Sequence, residues 1–143
     1  MNKIKFFLLV LAFVPGLVRA QNSDMTVKCR DNVGANTVFL KDYFIQLPKV
    51  ADAPELRYKE VLPLSKNMKY RFTLCNADNS QGQLIMKILD SDGRVQVISY
   101  DQKSGKSYPE VNFTCNRTGT YKIYFDFLGF QPGSGVGIVS LIK

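Results

Sequence analysis

The sequence predicts an all-β protein: an antiparallel, jelly-roll-like β-sandwich of about eight strands. Three observations predict it. Segments such as 68–75 and 120–127 alternate apolar and polar residues with a period of two, the pattern of a strand with one buried face. Glycine, proline, asparagine and aspartate cluster between these segments at short intervals, as they do in sandwiches. No segment of any length shows the 3.6-residue period of a helix with a core face, so helix is expected to be minor.

The chain starts with Lys3 and Lys5, an apolar run from Phe6 to Val14, and then Val18-Arg19-Ala20. A basic start, a short apolar stretch and a small residue before the cut read as a secretory signal. The run falls short of the roughly 20 apolar residues that span a bilayer, and no later stretch reaches that length. The expected organisation is a signal peptide over residues 1–20 and a single domain over residues 21–143. The mature protein is then secreted or periplasmic, with no transmembrane segment.

The whole chain carries 19 Lys and Arg against 12 Asp and Glu, a net charge of +7. Loss of Lys3, Lys5 and Arg19 with the signal leaves 16 against 12, or +4. No consecutive basic residues occur. This balance suits solubility and loose attraction to acidic glycans or membranes, and nucleic acid is not an expected partner.

Along the mature chain, Met25, Val27 and Cys29 alternate with Thr26 and Lys28, which suggests a short first strand. Residues 30–37 have loop composition. A second strand is expected over Val38 to Leu40 and Tyr43 to Leu47, broken at Lys41-Asp42. Pro48, Ala53 and Pro54 mark a connection. Residues 57–64 read as a strand either interrupted at Pro63 or placed at an edge, because Pro63 cannot donate to a ladder. Ser65 to Asn67 is a turn, and Met68, Tyr70, Phe72 and Leu74 give the next strand an inward face.

The centre of the pattern is 84–100, two apolar arms around Asp90-Ser91-Asp92-Gly93. Asp-Gly between alternating arms is a strong hairpin signal, since both residues reach the positive φ of tight turns. Leu84, Met86 and Ile88 should face inward, with Val95 and Val97 matching them on the second arm. A polar loop follows over 101–107, then a strand over 109–115 and a turn over 116–119. In 120–127, Tyr121, Ile123, Phe125 and Phe127 point one way, and Thr120, Lys122, Tyr124 and Asp126 the other. A last loop runs through Gly129, Pro132, Gly133 and Gly135, and Val136 to Ile142 closes as a buried strand.

Cys29, Cys75 and Cys115 are the disulfide candidates, an odd count in an oxidising compartment, so at most one internal bridge forms. Strand phase puts Cys75 outward, with Lys69, Arg71 and Thr73, and Cys115 inward, with Val111 and Phe113. Opposite faces of one layer cannot be bridged. Three separate thiols, with Cys115 buried as a small hydrophobe, is the other reading.

One resemblance rests on Lys69-Tyr70-Arg71-Phe72, on residues 84–93 with their Asp92-Gly93 turn, and on Thr118-Gly119-Thr120-Tyr121-Lys122-Ile123. From about Lys66 to the C-terminus, these phrases resemble the bacterial pre-peptidase C-terminal domains and the related GOLD-type domains. The resemblance implies an accessory or interaction module without catalysis, usually set in tandem with a peptidase that this chain does not carry. Gln21-Asn22 after Ala20 is similar to the mature ends of Bacteroidetes exports.

The chain contains no histidine. Ser-His-Asp and Cys-His schemes lose the base that activates their nucleophile, and the commonest zinc ligand is missing. Two-carboxylate chemistry remains formally open with Asp90 and Asp92. The same pair begins an oxygen-rich loop of calcium-binding type, without the later acids or terminal glutamate such loops use; the turn accounts for every residue of it. Asn112-Phe113-Thr114 and Asn116-Arg117-Thr118 match the N-glycosylation pattern, with Asn116 the better placed acceptor on a turn. Tyr100, Tyr108, Tyr124 and Phe130 lie at strand ends, on outward phase or in loops, and are the candidate ligand-binding residues, since exposed rings stack on sugar faces. The expected role is a non-catalytic module, with no cofactor, for a protein or glycan partner at the envelope or outside the cell. A carbohydrate-binding module is the alternative, and a small hydrolase a more distant one.

Overall fold

A computed structural model describes residues 17–143, with side chains from Asp24 onward. Residues 1–16, most of the expected signal, lie outside the described residues. A helix, α1 (Leu17–Asp31), is followed by ten strands: β1 (Thr37–Leu47), β2 (Tyr58–Leu64), β3 (Lys69–Asn76), β4 (Leu84–Leu89), β5 (Val95–Ile98), β6 (Tyr100–Asp101), β7 (Lys106–Ser107), β8 (Glu110–Thr114), β9 (Gly119–Phe127) and β10 (Gly133–Ile142). Sheet 1 has the order β1-β10-β3-β8 and sheet 2 the order β2-β9-β4-β5, all neighbours antiparallel. Eight strands are thus shared between two sheets, as in a jelly roll. The short β6–β7 hairpin occupies the expected polar loop.

The core lies between the sheets and follows the expected inward phase, except at Met68, which precedes β3 and is 37% exposed. Tyr70, Phe72 and Leu74 of sheet 1 meet Leu84, Met86, Ile88, Tyr121, Ile123, Phe125 and Phe127 of sheet 2. At Asp92-Gly93 the hairpin closes with Gly93 at φ +80°. Its second arm departs from the period-two reading. A register shift pairs Ile88 with Val97 but Leu89 with Val95, so the extra residue turns Val95 to the outer face, where it is 55% exposed. A bulge changes which face every residue beyond it uses.

Strand β1 is one continuous element, not two broken at Lys41-Asp42; a shift between Phe39 and Lys41 absorbs the irregularity. Strand β10 starts three residues earlier than its apolar run. Cβ atoms at Gly133, Gly135 and Gly137 would lie 2.5–2.7 Å from Phe127, the Cys75 carbonyl and Phe125, so Gly133 and Gly135 of the expected loop and Gly137 of the expected strand stand where two core rings and the β3 backbone approach β10.

Residues 25–29 are helical rather than the expected strand. Met25 and Cys29 are spaced at i and i+4, which puts them on one helix face, and Val33 follows just beyond the helix end. They pack on Val136 and Ile138, the outward residues of β10, while Val27 faces away from the sheet. Two short apolar spacings fit both periods, and docking on a sheet decides for the helix. Cys29 bridges Cys75 with a Cα–Cα distance of 5.8 Å, which replaces the reading of three separate thiols. Cys75 has the outward phase expected of it; its partner sits on the helix that roofs that face. Cys115 is a buried free thiol. Helix α1 also explains why β10 is apolar on both faces.

Candidate functional site

The outer face of sheet 1 is roofed by α1, whereas on sheet 2 residues 48–57 cover Ile85, Tyr124 and Asp126 and leave Lys59, Val61, Lys122, Val95 and Ile98 exposed. Four strands put residues side by side there. Lys59 of β2 lies opposite Tyr124 of β9, Tyr124 opposite Lys87 of β4, and Lys87 opposite Ile98 of β5. The next row is Val61, Lys122, Leu89 and Val95. Neighbouring strands run about 4.8 Å apart, so three ammonium groups share a patch on the order of 10 Å across. Val61 and Ile98, 57% and 41% exposed, complete a mixed cationic and apolar surface.

Tyr124 is the floor of this patch. Although it has the outward phase, it is only 7% exposed, enclosed with Leu56 and Ile85 and flanked by Leu89 and Tyr100. The Nζ atoms of Lys59 and Lys87 lie 5.5 and 5.2 Å from its ring centroid, within reach of a cation–π attraction. Lys59 also pairs with Glu55. That hydrogen bond, with the fields of Lys87 and Lys122, holds the Glu55 carboxyl below its usual range, and the same bond raises Lys59. All three lysines thus act on one carboxylate.

The segment covering the patch edge is held by a buried ion pair. Asp126 points outward from β9 yet is fully enclosed. Its oxygens receive Arg57 Nη2 at 2.7 Å, Arg57 Nε at 2.9 Å and the Arg57 amide at 3.0 Å, and the Phe127 amide at 2.7 Å. Arg57 Nη1 donates to the Pro48 carbonyl at 2.6 Å. The pair raises the guanidinium above its ordinary value and fixes the chain that lays Leu56 on Ile85 and Tyr124.

The four aromatic candidates occupy three places. Tyr100 and Tyr124 share the cluster on the outer face of sheet 2. Phe130 lies over Arg57, with the guanidinium carbon 5.7 Å from its centroid. Tyr108, 46% exposed, follows β7 and is tied by its amide to the Ser99 carbonyl. Tyr124 offers no bare ring for stacking, because lysines and Leu56 enclose it.

Asp90 and Asp92 are engaged within the hairpin. Asp90 Oδ1 accepts the amides of Asp92 and Arg94, each at 2.9 Å, and Oδ2 accepts Gln96 Nε2 at 3.1 Å. Asp92 Oδ2 receives Arg94 at 2.7 Å and Arg117 at 3.2 Å, hydrogen bonds that lower its carboxyl. Among the described residues, no three histidine, cysteine, aspartate or glutamate side chains gather as a metal site. Asn112 sits within β8, its side-chain oxygen taking Arg71 Nε at 3.0 Å, and Asn116 is exposed before β9. No described helix is long and apolar enough to cross a membrane.

The lysine triad and the Arg57–Asp126 pair were not singled out in the sequence. The outward phase of Lys87 and Lys122 was visible; their nearness to Lys59 needs β2 beside β9, which no local pattern encodes. Comparison with known protein families and with characterised proteins found no match to any part of the chain.

Proposed function

We propose that this chain is an exported, non-catalytic interaction module that presents the outer face of sheet 2 to a partner. One observation carries the reading: the outer face of sheet 1 is roofed by a disulfide-pinned helix, whereas that of sheet 2, beyond the part that residues 48–57 cover, presents three lysines beside exposed Val61, Val95 and Ile98. Exposed apolar groups among like charges are an arrangement that a partner would relieve. Export is supported by the basic and apolar N-terminal pattern together with the Cys29–Cys75 bridge, since such bridges persist in oxidising compartments. An accessory role is also what the resemblance to pre-peptidase C-terminal domains implies.

A photo-crosslinking residue placed at Val61 tests the reading on intact cells that make the protein. Adducts should form at Val61 and not at Lys103, an exposed position on the β6–β7 hairpin. No adduct at Val61, or equal yields at both positions, would overturn it.

A further inference from the structure

The lysine face of sheet 2 has the donors, acceptors and apolar floor suited to one kind of partner. We infer that it binds an acidic polysaccharide, holding uronate carboxylates with Lys87 and Lys122 beside the depression at Tyr124. This rests on the interaction reading above and names the partner class for the same face.

The depression has a volume of about 470 Å³ and is lined by Glu55, Lys59, Glu60, Val61, Lys122 and Tyr124. That is within the range of small-ligand sites. Its chemistry is mixed. Lys59 is already engaged by Glu55, whereas neither Lys87 nor Lys122 has a salt-bridge partner among the described residues, and both flank the same tyrosine. Two free ammonium groups call for anions. Glu55, whose Oε1 takes Lys59, keeps its second oxygen as an acceptor, which calls for a hydroxyl donor. Val61 and the rim of Tyr124 give an apolar wall for C–H groups. A sugar ring carrying both hydroxyls and a carboxylate meets all three demands at once.

Other anionic partners fit less well. An acidic peptide would be expected to add as a strand at the β2 edge, but Pro63 lies there and removes a donor from the ladder. An anionic membrane would be expected to meet protruding large apolar side chains. Here the exposed apolar groups are the short Val61, Val95 and Ile98, and the aromatic ring is enclosed. A polysaccharide also repeats its carboxylate, so weak single contacts gain from local concentration along the chain.

The mature protein should be titrated calorimetrically with tetragalacturonate, tetramannuronate, neutral maltotetraose and tetraglutamate in about 150 mM salt, where exposed charges are already screened beyond roughly 8 Å. At least one uronate should bind saturably at one site, maltotetraose should not bind, and tetraglutamate should bind at least tenfold more weakly. The double variant Lys87→Gln/Lys122→Gln should weaken uronate binding tenfold or more without moving the melting temperature. Lys103→Gln/Lys106→Gln, on the β6–β7 hairpin and outside the lining of the depression, should leave it unchanged. Binding by neither uronate, equal binding by tetraglutamate, or indifference to the Lys87/Lys122 change would overturn the inference. Uronate failure with persisting Val61 adducts removes the partner class alone; loss of both removes the interaction reading as well.

Discussion

Arg57 grips Asp126 with its Nε, Nη2 and backbone amide, all within 3.0 Å of a carboxylate that solvent does not reach. The pair joins the start of β2 to the end of β9 and, through Pro48, to the connection that enters β2. Removing one partner of such a pair leaves a buried charge without compensation, which costs about 3–5 kcal/mol. Arg57→Met should therefore destabilise by that order, read as a lower urea midpoint, and loosen Leu56 from Tyr124. Arg94→Met, where the arginine side chain is 71% exposed in its ion pair with Asp92, should leave the midpoint nearly unchanged, because exposed pairs contribute little. Equal losses in both variants would show that burial of Asp126 is not what matters.

The Cys29–Cys75 bridge closes a sequence separation of 46. Loop closure of that size corresponds to about 4 kcal/mol in the chain-entropy view, with measured values commonly on the order of 2–4. Cys29→Ser/Cys75→Ser should lose stability in that range. Hydrogen exchange should show the change concentrated in α1 and over Val136 and Ile138, while amides of β4 and β9 keep their protection relative to global stability. Loss spread evenly over both sheets would contradict α1 as a separately docked roof.

Much of this architecture was legible because the inward positions of a half-buried strand recur every second residue. Leu84, Met86, Ile88 and the run from Tyr121 to Phe127 carried that signal without interruption, and their burial follows it. The misreadings arose where one spacing serves two periods or where a third layer intrudes. Met25 and Cys29 fit a strand and a helix equally, and only the apolar outer face of β10 distinguishes them. Tyr124 and Asp126 have the outward phase that their alternation predicts but are enclosed, since residues 48–57 fold over them. The candidate site was less legible still. Lys59 and Lys122 meet through strand order, a long-range property, and the hairpin shift that exposes Val95 leaves no mark in composition.

Gly137 and Phe125 give a direct test of core packing. A Cβ at Gly137 would stand 2.6 Å from a carbon of the Phe125 ring. Overpacking of this kind costs about 1–3 kcal/mol. Gly137→Ala should destabilise by that amount, and Phe125→Ala by roughly 3–5 kcal/mol. In a Phe125→Leu background the Gly137→Ala cost should shrink, because the two sites share one space and so cannot be additive. Gly119→Ala, with nothing within 4 Å of the added carbon, is the control. A Gly137→Ala cost that stays the same in the Phe125→Leu background would mean that the strain lies in the backbone of β10 instead.

Tyr43 carries the last prediction. Its ring is buried against Phe125 at a centroid distance of 5.3 Å, and its hydroxyl has no hydrogen-bond partner among the described residues. Burial, with Glu60 and then Tyr58 nearby, pushes the phenol up from 10.0 to about 12. A phenol whose folded value exceeds its unfolded value stabilises the fold fully below the unfolded value. That contribution is lost as pH rises through the window from about 10 to about 12, because the unfolded chain releases a proton that the folded chain retains. Tyr121 behaves alike: burial and then Cys115 push it up to about 12, but its hydroxyl donates to the Arg117 carbonyl at 2.7 Å. Tyr43→Phe removes an unpaired buried hydroxyl, so at about pH 7 it should match or exceed the parent in stability. Between about pH 10 and 11.5 it should lose less stability than the parent, while the remaining slope reports Tyr121, Tyr58 and Lys59, which are also raised and common to both. Urea midpoints followed from neutral pH through that alkaline window measure this, and parallel alkaline losses in the two proteins would show that Tyr43 is not the group that titrates.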